Sequence, residues 1–237
     1  MINTMKNINL LVETIAFTLA ETLVVMGIIG VVAALTIPNL NQSTGDREKV
    51  AKVKKVYANL EDAFGRATAV YGPFDEWFII DGDDFSMANR WFAERMMEFL
   101  KVSKDCTIGE GCFSEQPFLY SGGAKVEDNY WSFLTGISSY MIILSDGTSL
   151  AFQAAGVNNP AIRIDIDGPN KGKNQAGNDI FDVFVIDGQL KSFGPEDDGN
   201  LELGSSSNFT YWVLKNGNLD YLKCGIDLDW DTKTSCK

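Results

Sequence analysis

The sequence predicts an α+β fold: one long N-terminal helix, its first half fit to span a membrane, packed on an antiparallel β-sheet head. Three observations carry this reading. An apolar run from Phe17 to Leu40 passes into an amphipathic stripe that continues to Tyr71. Strand-forming runs divided by turn signals begin only after residue 137. Helical pattern first and strands afterwards is the order of an α+β domain, in contrast to the alternation of a parallel sheet.

The first element is the apolar run. Its 24 residues, 17–40, reach about 36 Å as a helix, enough to cross a hydrocarbon layer of about 30 Å. Across residues 16–40 the single charge is Glu21. Three processing schemes compete. The run is a permanent anchor; or it is a secretory signal cut after the small-x-small pattern Val32-Ala33-Ala34, leaving a chain that starts at Leu35; or the chain is cut before it, between Ala16 and Phe17. The third scheme accounts for Glu21. A carboxylate inside a membrane costs several kcal/mol unless it is paired. Cleavage would create a cationic amino terminus on Phe17, and in side-by-side copies the Glu21 of one meets the Phe17 amino group of the next. Arg47, Lys49, Lys52, Lys54 and Lys55 follow the run and, on charge counting, argue for a cytoplasmic C-terminal side. The cysteines argue for the opposite side, and with them we place the head outside the cytoplasm.

The second element extends the first. Val50, Val53, Tyr57, Leu60, Phe64, Ala67 and Tyr71 recur at three- and four-residue steps and form one helical stripe, with a Lys- and Glu-rich opposite face. Gly72-Pro73 ends it. Residues 17–71 therefore read as one helix, softened at Pro38 and Gly45; the competing reading is two helices joined by a loop at 39–46. Residues 74–135 hold Trp77, Phe78, Phe85, Trp91, Phe92, Phe99, Phe113, Phe118, Trp131 and Phe133, a set better suited to a core than to a ligand cage. "SMANRWFAERMMEFLKV" predicts a helix over 86–102. "SYMIILSDGTSLAFQAAG" predicts a hairpin turning at Asp146-Gly147, and "AIRIDID" and "DIFDVFVIDGQLKSFG" supply further strands.

Composition narrows the chemistry. The chain of 237 residues carries a net charge of −12, which excludes bulk electrostatic attraction to nucleic acid. It contains 0 histidines, so the commonest general base and transition-metal ligand is missing, and no enzymatic activity is expected. The 4 cysteines fall in two close pairs, Cys106 with Cys112 and Cys224 with Cys236, neither spaced as C-x-x-C. Two local disulfides formed in an oxidising compartment fit that arrangement; four unrelated reduced thiols are the alternative.

"AFTLAETLVVMGIIGVVAALTIP" resembles the N-terminal motif of type IV pilins and type II secretion pseudopilins. The resemblance implies a leader of residues 1–16 ending at Ala16, where the family usually has Gly, and removed by a prepilin peptidase. It further implies an N-methylated Phe17, Glu21 as the assembly carboxylate, and Pro38 as the proline that loosens the helix in a filament. Residues 17–40 would be the transmembrane and assembly half of the helix, and 41–237 a pilin-like head containing its amphipathic second half. The implied partners are other copies of the chain in a helical filament, an inner-membrane assembly platform and its ATPase. The implied location is the bacterial inner membrane for the precursor, then a periplasmic or surface filament. A secretion pseudopilin forming a short periplasmic filament is the alternative within the family. Outside it stands a secreted binding module or hydrolase with an ordinary signal peptide.

Two acidic segments remain. In "DIDGPNKGKNQAGND", Asp165, Asp167, Asn170, Asn174, Asn178 and Asp179 surround three glycines, a set of hard oxygen donors suited to Ca²⁺. Asp165, Asp167, Asn170, Asn178 and Asp179 are the expected ligands, and pseudopilin heads resembling this one often carry calcium in a similar loop. The spacing is not that of an EF-hand, and the other reading is a turn whose side chains cap their own backbone. "GPNKGKN" lacks the spacing of a phosphate loop. In "CGIDLDWDTKTSC", Asp227, Asp229 and Asp231 alternate with apolar residues and predict an edge strand, acidic side outward, with a weaker second cation site as the alternative, within a loop that resembles the disulfide-bounded C-terminal loop of pilins. Asn208-Phe209-Thr210 matches a glycosylation sequon.

Overall fold

The computed structural model describes residues 19–77, 85–107, 111–114, 118–124, 139–154, 160–195 and 208–236, with the side chains of 33, 35–43, 85 and 226 outside that description. The chain forms two compact units, Met1–Thr44 and Gly45–Lys237. The first helix, α1 (Leu19–Tyr71), begins in the first unit and ends in the second. Pro38 and Gly45 both lie inside it, and the loop considered at 39–46 does not form.

In the first unit Leu19, Leu23, Val24, Val25, Met26, Ile28, Ile29, Val31 and Val32 are all more than half exposed. The sequence led us to expect a membrane-spanning helix here. Among the described residues, however, no helix is long and apolar enough to cross a membrane. Much of the expected span, at 33 and 35–43, lies outside the described side chains.

In the second unit the predicted stripe is buried. Val53, Leu60, Phe64 and Ala67 lie in the core together with Val56 and Ala63, while Val50, Tyr57 and Tyr71 are partly covered. The helix stops because Gly72 takes a φ of 83°, which a residue with a Cβ adopts only under strain, and Pro73 cannot donate an amide to continue. Beyond it Phe74 and Trp77 pack against Phe64 and Phe92, ring centroids 5.0 to 6.2 Å apart, and the Trp77 indole N–H donates to the Gly72 carbonyl at 2.8 Å. Of the aromatic set, Trp77, Phe92 and Phe118 are buried in the core, Phe99 and Phe113 pack partly buried against core residues, and Trp91 is half-buried; Phe78, Trp131, Phe133 and the Phe85 side chain lie outside the described residues.

Helix α2 (Phe85–Met97) is shorter than the 86–102 expected. Its last amides fold into tight turns, Phe99 N–H to Met96 and Leu100 N–H to Met97, after which Val102 enters a strand. That strand, β1 (Val102–Thr107), pairs with β2 (Tyr140–Leu144) in a register broken by two irregularities. Its sequence, VSKDCT, is mostly exposed at a sheet edge and has no apolar alternation, which is why sequence pattern missed it. β2, β3 (Ser149–Gln153), β4 (Ala161–Asp165), β5 (Ile180–Ile186) and β6 (Gln189–Lys191) follow in sequence order, giving a six-stranded antiparallel meander. The predicted hairpin at Asp146-Gly147 is present between β2 and β3. Alternate residues Ile142, Leu150, Phe152, Ile162, Ile164, Phe181 and Val183 share one core cluster with the α1 stripe and α2.

The opposite sheet face holds a pair that the sequence did not reveal. Arg163 and Asp182, cross-strand partners on β4 and β5, form two hydrogen bonds of 2.7 and 2.9 Å with each side chain 4% exposed, and the guanidinium lies over the Phe118 ring. Removing one member of such a pair strands a buried charge, a change that typically costs about 3–5 kcal/mol.

The C-terminal edge strand predicted over 227–231 does not form. The chain instead makes α3 (Phe209–Asn216) and α4 (Tyr221–Cys224), and Asp227 closes a 3-10 turn. Asp229 accepts the amides of Asp231 at 2.9 Å and Thr232 at 2.6 Å, so local side-chain capping replaces a ladder. The sequon is also explained: Asn208 is buried at the start of α3 and the buried Thr210 hydroxyl donates to the Asp182 carbonyl at 2.6 Å, which leaves neither accessible to a glycan. Both expected disulfides are present, Cys106–Cys112 and Cys224–Cys236. In the loop-entropy description, opening the Cys224–Cys236 loop by a double Ser substitution should destabilise the chain by on the order of 3 kcal/mol. Chemical denaturation followed by tryptophan fluorescence would check it, with Trp212 and Trp230 packed beside that loop.

Candidate functional site

Two regions carry chemistry: the start of α1 and the loop joining β4 to β5. Ala16 and Phe17, the expected processing residues, lie outside the described residues. Glu21 occupies the first turn of α1 and is exposed. That position favours a carboxylate, because the unsatisfied amides of a helix start present partial positive charge worth about 0.3–1 kcal/mol. Pro38 lies in α1, with its side chain outside the description.

The β4–β5 loop is held largely by its own carboxylates. Asp165 Oδ1 accepts the amides of Asp167 at 3.0 Å and Gly168 at 2.9 Å. Asp179 accepts the amide of Lys173 and those of Asn174 at 3.1 Å and Gln175 at 2.6 Å. Glycine is required where the loop makes its closest approaches. A Cβ on Gly168 would strike the Gly147 carbonyl of the β2–β3 hairpin, and one on Gly172 would strike the Asp179 carboxylate. The loop is further pinned by the Gln175 amide, which donates to the Ser121 carbonyl at 2.6 Å, and by the Tyr221 hydroxyl, which donates to the Gly177 carbonyl at 2.6 Å.

Burial dominates the electrostatics. It pushes the Asp165 carboxyl up to about 7, with the neighbouring Asp179 and Asp167 adding to the rise against the pull of the Asp167 and Gly168 amides. Burial also raises Asp179, while its backbone hydrogen bonds and the Lys49 ammonium oppose the rise.

The five expected calcium ligands meet different partners. Asn178 Oδ1 accepts the Lys49 ammonium at 2.7 Å, Asn170 is exposed, and both oxygens of Asp179 are taken by main-chain amides. Asp167 stays near Asp179 across Gly172, and Asp165 Oδ2 is buried without a hydrogen-bond partner. Among the described residues no group of three Asp, Glu, Cys or His side chains is arranged to hold a metal ion.

The residues that sequence reasoning passed over are lysines. Lys49, Lys52 and Lys55 enter the sequence reading only as charges after the apolar run; all three meet the head. Lys52 Nζ donates to the Ile166 carbonyl at 3.0 Å and lies 3.8 Å from Asp167, and Lys55 meets Asp146 at 2.8 Å. Their i, i+3, i+6 spacing marks one side of α1 and was the available signal. Comparison of the chain with family models, with curated proteins and with solved structures finds no match.

The Lys55–Asp146 contact gives a signed pH dependence. Burial raises the Asp146 carboxyl, but hydrogen bonds from Lys55 and Thr148 outweigh it, and the net value falls below the ordinary 3.8. A lowered folded value contributes stability above that ordinary value, lost as pH falls through the folded one. Asp146→Asn should therefore cost up to about 1 kcal/mol at neutral pH, with the gap to the unsubstituted protein closing in strong acid. Melting curves of both proteins across pH would show it.

Proposed function

We propose that this chain is a structural subunit of a type IV pilin-like filament, with no catalytic activity of its own. In this reading a prepilin peptidase cuts between Ala16 and Phe17 and methylates the new terminus. The inner membrane holds the subunit until an assembly platform and its ATPase add it to a filament of identical copies. The observation that carries the proposal is the pairing of nine large exposed apolar side chains between Leu19 and Val32 with a single carboxylate, Glu21, in the first turn of the same helix.

Each of those side chains gains about 1.5–3 kcal/mol when fully covered, so lipid or neighbouring copies of the helix would supply a large driving force. A contact between bare apolar helices lacks register, and one acid that must meet one amine supplies it. The α+β head with two disulfides supports an assembly formed outside the cytoplasm.

Glu21→Ala tests the proposal. The head should keep its circular dichroism and melting temperature, because Glu21 lies outside the unit Gly45–Lys237. Sheared filaments, counted by electron microscopy in cells producing the variant, should fall many-fold. Normal filament numbers would remove the proposed role of this residue.

A further inference from the structure

We propose that the acidic β4–β5 loop takes its countercharge from inside the chain, the ammonium groups of Lys49 and Lys52 on α1 standing where a divalent cation would otherwise be needed. The inference does not depend on the filament reading, since it concerns only the unit Gly45–Lys237.

Donor accounting comes first. Calcium requires six to eight oxygens at about 2.3–2.6 Å. Of the carboxylate oxygens in this loop, Asp165 Oδ1 and both oxygens of Asp179 already accept main-chain amides. Asn178 Oδ1 accepts Lys49, and the Ile166 carbonyl, a main-chain oxygen of the kind that calcium loops use, accepts Lys52. Asp167 Oδ1 faces Lys52 at 3.8 Å. Of the side-chain oxygens of the five expected ligands, those left for an ion are the buried Asp165 Oδ2, Asp167 Oδ2 and the oxygen of the exposed Asn170, three where calcium takes six to eight.

Charge comes second. Three carboxylates, Asp165, Asp167 and Asp179, are opposed by two ammonium groups from one side of α1. An ammonium at hydrogen-bond distance from a main-chain carbonyl and beside a carboxylate makes the contacts a metal ion would make there. A doubly charged ion placed among the same oxygens would face two like charges within a few ångströms, a repulsion that partial burial strengthens. Lys49 holds the far end of the loop at Asn178, Lys52 the near end at Ile166 and Asp167, and Lys55 fixes the adjoining hairpin at Asp146. Three lysines on successive helical turns thus fasten two loops of the sheet to α1, with no requirement for calcium in the surroundings.

The full-length protein in detergent micelles, melted in millimolar CaCl₂ and in excess chelator, is the primary measurement. The proposal expects the two melting temperatures to coincide. It also expects Lys49→Gln/Lys52→Gln to melt several degrees lower and to be cut faster by chymotrypsin, whereas Lys49→Arg/Lys52→Arg, which retains both charges, stays close to the unsubstituted protein. Should the double Gln variant fail to fold, the single Lys52→Gln substitution is read in the same way. A rise in melting temperature of the unsubstituted protein on adding calcium would overturn the proposal. A lysine-to-glutamine variant that melts with the unsubstituted protein would overturn it equally.

Discussion

Helix α1 carries large apolar side chains along much of its length, and among the described ones those of the stripe from Val50 to Tyr71 are covered by the chain itself. Val53, Val56, Leu60 and Ala63 are sealed at 0–1% exposure in one cluster with the sheet residues, while the side chains between Leu19 and Val32 that belong to the first unit stay more than half exposed. Burial of apolar surface is the dominant favourable term in folding and in association alike. The stripe that is covered organises the head: α2 and the sheet share its cluster, and the aromatic corner around Trp77 closes its end. In the proposed function the uncovered part is met by lipid or by other copies of the same helix.

Polar contacts then decide how the buried stripe is held in place. A helix lying on a sheet can slide or roll while still covering apolar area, because hydrophobic contact is not directional. Lys49, Lys52 and Lys55 on one side, Tyr57 reaching the Leu190 carbonyl, and Lys223 of α4 reaching Asp46 at 2.6 Å define one position. Each such contact is partly exposed and individually worth little. Their value lies in geometry: they join α1 to the β2–β3 hairpin, the β4–β5 loop and the C-terminal segment. In a chain of net charge −12, these lysines place countercharge beside acidic loops of the sheet.

Much of this was legible in the sequence wherever periodicity spoke. The stripe from Val50 to Tyr71 has the 3.6-residue repeat of an amphipathic helix, and Ile142, Leu150, Phe152, Ile162 and Ile164 lie in strands bounded by turn residues. The β1 strand was not legible because VSKDCT is an edge strand with little to bury. α3 was not legible because it spans only 8 residues and Asn208 at its start makes no side-chain capping hydrogen bond. The predicted strand over 227–231 failed because Asp229 satisfies backbone amides locally at less entropic cost than a sheet ladder would demand. The acidic loop was read correctly as rich in oxygen donors. Whether those donors face an ion, their own amides or a lysine depends on contacts spanning more than a hundred residues, as between Lys49 and Asn178.

In the proposed filament, cleavage before Phe17 would bring a new amino group to the Glu21 carboxylate of a neighbouring copy. Intact-mass and N-terminal sequencing measurements on the protein recovered from the membranes of its own host test this most directly. A polypeptide beginning at Phe17 and bearing one added methyl group is the predicted result. A chain beginning at Leu35, or one retaining residues 1–16, would contradict the account.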